Sequence, residues 1–119
     1  MSPNMKRRTT TTKTDSYDVV MPLLKAMYEE LKAFSKKKPD GAVGKNKILI
    51  INRILEECRS VLKSEASLKF LDLLDEADFP QNSDVTLILS QYVVAMEQFK
   101  DTYYVYDEFL GGWTWVIED

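Results

Sequence analysis

The most regular pattern in the chain is an apolar stripe that runs through residues 85–110. Its gaps alternate between four and three residues, which is the spacing of one helix face packed lengthwise against other helices. The stripe consists of Val85, Leu89, Tyr92, Met96, Phe99, Tyr103, Tyr106 and Leu110. The sequence therefore predicts one long helix as the centre of the domain, ended by Gly111 and Gly112.

Three further helices are predicted before this stripe, because the same spacing recurs in each of them. The first covers residues 16–37, and Pro22 favours either a late start or a kink. The second begins near Lys45 or Asn46, and a short third helix covers about residues 66–77. The residues predicted to pack against the long helix are Val20, Leu24, Met27, Ile51 and Leu55.

Four amphipathic helices with short connections predict an all-α fold, an antiparallel bundle whose third helix is short and whose fourth is long. Residues 1–14 are polar and basic, so we expect a disordered arm before a single domain over residues 15–119. Residues 113–117 have strand composition, but no second strand is predicted for them. They are expected to form a short extended aromatic tail, which either closes the bundle or pairs with another chain.

The residue types that the chain lacks exclude several kinds of catalytic and metal site. Histidine is absent, which removes the commonest general base and metal ligand, and the single cysteine, Cys58, lies on a core stripe. The glycines at 41 and 44 lack the spacing, the hydroxyl residue and the preceding strand of a phosphate-binding loop. We therefore expect no cofactor, no metal site and no enzymatic activity. The absence of a long apolar run argues against secretion or membrane insertion and favours the cytoplasm.

One acidic cluster suggests an alternative. Asp72, Asp75 and Glu76 would share one face of the predicted third helix, as the carboxylates of all-helical magnesium hydrolases do. Such a hydrolase needs a second acidic pair on a facing helix, and the adjacent glutamates upstream have the wrong spacing for it. A solvated acidic face is the simpler interpretation.

The aromatic residues form the most unusual cluster. Of 13 aromatic residues, seven lie between positions 99 and 115, and Tyr104, Trp113 and Trp115 fall outside the core stripe. Tyrosine and tryptophan dominate protein interfaces. The leading hypothesis is a small adaptor, subunit or inhibitor of the immunity or antitoxin kind. Its predicted partner-binding residues are Tyr104, Trp113, Trp115, Ile117, Asp72, Asp75 and Glu76.

The charge distribution supports a rival function. Residues 1–63 carry 14 Lys and Arg against 7 Asp and Glu, while residues 64–119 carry 2 against 12. A basic half is typical of nucleic-acid-binding accessory proteins, which bind phosphates. The residues predicted for that role are Lys6, Arg7, Arg8, Lys36, Lys37, Lys38, Lys45 and Lys47. The identity of the partner and the formation of a homo-oligomer are left open by the sequence.

Overall fold

The computed structural model describes residues 7–119 and shows three α-helices followed by a two-stranded β-hairpin. The elements in chain order are α1 (Thr11–Lys37), α2 (Lys45–Val61), two short 3-10 helices (Ala66–Phe70 and Glu76–Asp78), α3 (Asn82–Tyr103), β1 (Tyr104–Asp107) and β2 (Gly112–Trp115). α1 packs along both α2 and α3. The molecule is elongated, at 51 × 24 × 22 Å, with the hairpin continuing from the end of α3.

The core confirms the apolar spacing of the three long helices. Leu24 of α1, Leu55 of α2 and Leu89 of α3 have no exposed surface. The other predicted core residues, Val20, Met27, Ile51, Val85, Tyr92, Met96 and Phe99, are buried as well. Each helix is apolar on the face that it turns to this core. None of the helices within residues 7–119 is long and apolar enough to cross a membrane.

The predicted third helix does not exist, so the four-helix bundle is wrong. Residues 71–75 run between the two 3-10 helices in extended or irregular conformation, and the Leu71 N–H makes the last hydrogen bond of the first 3-10 helix. Leu71 and Leu74 are both buried, and their three-residue spacing is what suggested a helix. The backbone groups of this segment instead bond to side chains of α2 and α3, which removes the need for helical pairing.

The predicted long helix ends at Tyr103 rather than near Leu110, and the all-α class is therefore wrong too. The residues that follow, Tyr-Val-Tyr, are aromatic and β-branched, which favours a strand. The Asp107 carbonyl accepts from the Gly111 N–H at 2.9 Å, and the Asp107 carboxylate accepts from the Leu110 N–H at 3.0 Å. Gly111 takes a φ of 68°, which closes the turn and returns the chain antiparallel to β1.

The first helix begins at Thr11, earlier than predicted, and includes Pro22. The Thr10 hydroxyl caps it by accepting from the Lys13 N–H, and the Asp119 carboxylate accepts from both the N–H and the hydroxyl of Thr11. This contact spans 108 residues and could not be read from local sequence. Residues 11–14, which the sequence assigned to the disordered arm, therefore belong to α1, while residues 1–6 lie outside the described part.

Candidate functional site

One face of the hairpin is entirely aromatic. Side chains alternate along a strand, and the register pairs Tyr104 with Trp115 and Tyr106 with Trp113, so all four rings lie on the same side. Tyr104 stacks on Trp113 with ring centroids 5.9 Å apart, and Tyr106 meets Trp113 edge to face at 6.0 Å. Trp115 lies 5.1 Å from Tyr104. We call residues 104–115 the aromatic hairpin.

The inner end of the aromatic hairpin is fixed to the helical core. The Trp115 ring lies 5.3 Å from Tyr17 of α1 and 5.9 Å from Phe99 of α3. Trp115 is only partly exposed, so it closes the end of the helical core. The predicted bundle plug is therefore this tryptophan alone, and not the whole tail.

The outer end of the aromatic hairpin is free of the core. Tyr106 is 52% exposed, Trp113 63%, Leu110 72% and Phe109 fully exposed. Four large apolar side chains are thus exposed to solvent within eight residues of chain. The backbone pairing of the two strands does not depend on these side chains. Contiguous exposure of this kind marks interaction sites on soluble proteins.

The tail was predicted to be an unpaired strand, and this premise is wrong. Trp113 and Trp115 belong to β2, which pairs with β1. Ile117 is 42% exposed and lies beyond the hairpin, where it bridges Thr9. Of the predicted tail residues, only Trp113 belongs to the exposed aromatic cluster.

Carboxylates surround the aromatic hairpin. Asp107 ends β1 and Glu108 begins the turn, and neither has a salt-bridge partner among residues 7–119. At its base, burial raises the pKa of Tyr17 to about 12, with the carboxylates of Glu97, Asp18 and Asp101 adding to the shift. Three cations also lie at this end of the molecule: the Lys100 Nζ is 4.8 Å above the Tyr104 ring, and Arg7 and Arg8 form ion pairs with Glu65 and Glu118.

Residues 71–81, the acidic loop, form a second candidate surface. Asn52 of α2 donates to the Leu74 carbonyl at 2.8 Å and accepts from the Leu74 N–H at 2.9 Å. Arg59 donates to the Leu71 carbonyl, and the Tyr92 hydroxyl donates to the Asp72 carbonyl at 2.9 Å. The helices therefore dictate the path of this loop.

The acidic loop brings together some of the predicted carboxylates. Asp72 and Asp75 line a cleft of about 410 Å³ with Asp78 and Asp84, whereas Glu76 does not. The shared helix face that suggested a magnesium hydrolase belonged to the missing third helix. Within residues 7–119, no three Asp, Glu or Cys side chains are arranged to hold a metal ion.

Sequence reasoning missed Phe79, at the end of the acidic loop. Its ring is 81% exposed and its backbone takes a left-handed φ of 48°, a conformation that costs about 1 kcal/mol for a residue with a side chain. No composition signal separates this phenylalanine from a core residue. Its exposure follows from the path that α2 and α3 impose on the loop.

The predicted basic residues do not form one surface. Arg7 lies 3.7 Å from Glu65 and Arg8 3.1 Å from Glu118, both beside the hairpin end, while Lys6 lies outside the described residues. The exposed lysines at 36, 37, 38, 45 and 47 lie at the opposite end of α1. A helix of 27 residues separates the two groups by roughly 40 Å.

The one cysteine is a structural residue. Cys58 has no exposed surface, and burial raises the pKa of its thiol to about 12. A thiol in that environment stays protonated and out of reach of substrates.

Comparison with protein-family models, with curated proteins and with solved structures found no match for this chain. Its function is therefore inferred from its own surfaces.

Proposed function

We propose that this protein is a non-enzymatic interaction module, an adaptor, subunit or immunity- or antitoxin-type inhibitor, that docks a protein partner in the cytoplasm through the aromatic hairpin. The observation that carries the proposal is the exposure of Tyr106, Phe109, Leu110 and Trp113 on an element anchored at its other end. Tyrosine and tryptophan supply large contact area with a polar tip. Anchors of this kind provide most of the binding energy at protein interfaces.

The anchoring of Trp115 adds to the affinity that these side chains offer. A partner gains little if it must first order a mobile loop, because each immobilised side chain costs about 0.5–1.5 kcal/mol. Here the ring contacts of Trp113 with Tyr104 and Tyr106 already hold two of the outer rings in place. The paired strands therefore present Tyr106 and Trp113 as a preorganised surface, and Phe109 and Leu110 project from the turn between them.

The charges around the aromatic hairpin define the partner's chemistry. Asp107 and Glu108 lie beside the exposed rings, and residues 97–119 carry six carboxylates against the single cation of Lys100. Arg7 and Arg8 also lie at this end of the molecule, where they pair with Glu65 and Glu118, so Asp107 and Glu108 of the outer end keep their charge without a salt-bridge partner among residues 7–119. A complementary surface has an apolar pocket for the rings and a basic rim. Such rim charges steer association, so the association rate should fall as salt is added.

The test is affinity capture from the native host with the full chain as bait. Phe109→Asn changes the fully exposed phenylalanine of the hairpin, and Phe79→Asn makes the same change at the exposed phenylalanine of the acidic loop. We expect Phe79→Asn to retain the partner and Phe109→Asn to lose it by at least about tenfold, as for a hot-spot residue. Trp113→Ala should behave like Phe109→Asn.

The opposite result would transfer the site to the acidic loop. If Phe109→Asn and Trp113→Ala still capture the partner while Phe79→Asn or Asp75→Asn loses it, the hairpin is not the docking element. All four positions are at the surface, so melting temperatures no lower than that of the wild type should show that folding is not the cause. Phe79→Asn should raise the melting temperature slightly, because asparagine tolerates the left-handed backbone better than phenylalanine does.

The nucleic-acid alternative has weaker support, because Arg7 and Arg8 are paired with carboxylates far from the lysine group. Binding through phosphate contacts alone would be weak and steeply dependent on salt. We expect no binding of DNA or RNA at physiological salt. Submicromolar binding that is lost when the exposed lysines are replaced would favour this alternative.

A further inference from the structure

An apolar groove lies between α1 and α2, towards the end of the molecule that is opposite the aromatic hairpin. Phe34 of α1, which is 39% exposed, and Ile50 of α2, which is 54% exposed, form its two rims. The buried side chains of Met27, Leu31 and Ile51 form its floor, and its volume is about 220 Å³. This α1–α2 groove therefore has room for a large apolar side chain of a partner.

The charged residues that flank the α1–α2 groove are mostly positive. On α2, Lys47 and Arg53 lie three residues before and three residues after Ile50, so all three share one face of the helix. On α1, Lys37 lies three residues after Phe34 in the same way. These three cations are exposed, and none of them has a salt-bridge partner among residues 7–119. They are therefore available to a negatively charged partner.

The positive charge reaches the groove itself. The Lys47 Nζ lies 4.6 Å above the Phe34 ring, so its ammonium group is held at the rim. Of the described residues that line the groove, Glu30 alone is acidic. Residues 27–53, which include the whole lining, carry seven Lys and Arg against three Asp and Glu, in a chain whose net charge is −3. The α1–α2 groove is therefore a positive region of an acidic protein.

The acidic loop lies on the other side of α2. It is held by Asn52 and Arg59 of that helix. At about 100° of rotation per residue, Asn52 is roughly 160° and Arg59 roughly 180° around α2 from Ile50. The carboxylates of the acidic loop are therefore not part of the rim of the α1–α2 groove.

We propose that the α1–α2 groove binds an acidic amphipathic helix of a partner protein. The apolar side chains of that helix fill the groove between Phe34 and Ile50, and its carboxylates face Lys37, Lys47 and Arg53. The backbone groups inside α1 and α2 are already paired, so the walls offer no strand edge and the partner must satisfy its own backbone, as a helix does. This site goes beyond the proposed function and does not depend on it, because the partner of the aromatic hairpin has a basic rim.

The first test is a selection from random peptides of about sixteen residues displayed on phage, which is more than four helical turns. The full chain is the bait, and a parallel selection against Ile50→Asp removes peptides that bind elsewhere. We expect the remaining peptides to carry a net negative charge and to repeat large apolar residues at spacings of three and four. Groove-dependent peptides without acidic enrichment, or no groove-dependent peptides at all, would overturn the proposal.

The second test measures the affinity of a selected peptide by fluorescence anisotropy. Ile50→Asp places a carboxylate in the groove and should weaken binding at least about tenfold. Leu49→Asp makes the same change at the preceding residue, which is 57% exposed but does not line the groove, and should alter the affinity less than about twofold. Equal effects of these two variants, at equal melting temperatures, would contradict the proposal.

The third test concerns the charges and the class of partner. Lys47→Gln should weaken the peptide about threefold at low salt and reduce the salt dependence of binding. Lys25→Gln, on the opposite side of α1 from Phe34, should do neither. Phe109→Asn in the aromatic hairpin should also leave the peptide bound, which separates this site from the proposed function. If a single-stranded oligonucleotide or phosphatidylserine vesicles bind more tightly than the peptide and lose binding in Lys47→Gln, the partner is not an acidic helix and the proposal fails.

Discussion

The aromatic hairpin and the acidic loop both hold an exposed phenylalanine among carboxylates, yet they are built in different ways. The backbone path of the hairpin is set by its own pairing and its own rings within residues 104–115, and Trp115 joins its inner end to the core. The acidic loop has little regular pairing, and Asn52, Arg59 and Tyr92 fix its backbone from α2 and α3. Local pairing defines one surface, and remote side chains define the other.

The two surfaces should therefore differ in how they tolerate amino-acid substitutions. In the hairpin the residues that maintain the structure and those that face solvent are separated, with Trp115 inside and Phe109 outside. In the acidic loop one supporting residue, Tyr92, belongs to the helical core, and another, Asn52, is a partly buried residue of α2. An exposed hairpin residue is therefore free to change with a partner, whereas the backbone path of the acidic loop depends on residues of α2 and α3.

The largest expected effect is that of Trp115→Ala, which removes the ring that joins the hairpin to Tyr17 and Phe99. It should lower the free energy of unfolding by about 3 kcal/mol, measured by chemical denaturation. Trp113→Ala, two residues away and 63% exposed, should cost less than about 1 kcal/mol. Similar losses from the two substitutions would show that the hairpin has no distinct inner and outer end.

The next effect concerns the acidic loop. Asn52→Ala leaves the N–H and the carbonyl of Leu74 without their partner. We expect a loss of about 2 kcal/mol, at roughly 1 kcal/mol for each hydrogen bond, and faster amide exchange of Leu74. Asn46→Ala, at an exposed position of the same helix, is the control and should be close to neutral. An unchanged Leu74 amide would mean that the loop holds its own path.

The sequence correctly predicts the parts of this fold that depend on patterns among residues close together in the chain. Apolar spacing identified the cores of α1, α2 and α3, and Lys45 was correctly placed at the start of α2. The hairpin also had a local signal, since Tyr-Val-Tyr-Asp and Gly-Trp-Thr-Trp flank a turn with glycine at its last position, but the helical spacing of Tyr106 and Leu110 concealed it. In residues 66–77 and in residues 104–110, an apolar spacing of three or four residues predicted an α-helix, but the same spacing is compatible with other structures.

The remaining features depend on contacts between distant residues. Asn52 bonds Leu74 across 22 positions, and Asp119 caps α1 across 108. For the candidate site, the sequence identified Trp113 as a partner-binding residue, and this stays a prediction. It could not separate Trp113 from Trp115, because their difference in exposure arises from the position of Tyr17 and Phe99.

A smaller effect should appear at high pH, at the base of the hairpin. The pKa of Tyr17 is raised from 10.0 to about 12, chiefly by burial. The folded state therefore keeps a proton that the unfolded state releases above pH 10, so this stabilisation is complete below pH 10 and is lost as the pH approaches 12. Tyr17→Phe should flatten that decline in the free energy of unfolding, and Tyr106→Phe, on the exposed end, should not. Cys58, with its pKa also raised to about 12, contributes equally to the decline in both variants.

The smallest effect tests whether backbone pairing alone holds the edge of the hairpin. Thr9 donates its N–H to the Val116 carbonyl and accepts from the Glu118 N–H, both at 2.9 Å, and its buried hydroxyl has no hydrogen-bond partner among residues 7–119. Thr9→Val keeps the β-branched shape and both backbone bonds while removing that hydroxyl. The free energy of unfolding should stay constant or rise by less than about 1 kcal/mol, because a buried unpaired polar group is lost. A fall of more than about 1 kcal/mol would mean that the hydroxyl makes a bond of its own, and that side chains support the hairpin as they support the acidic loop.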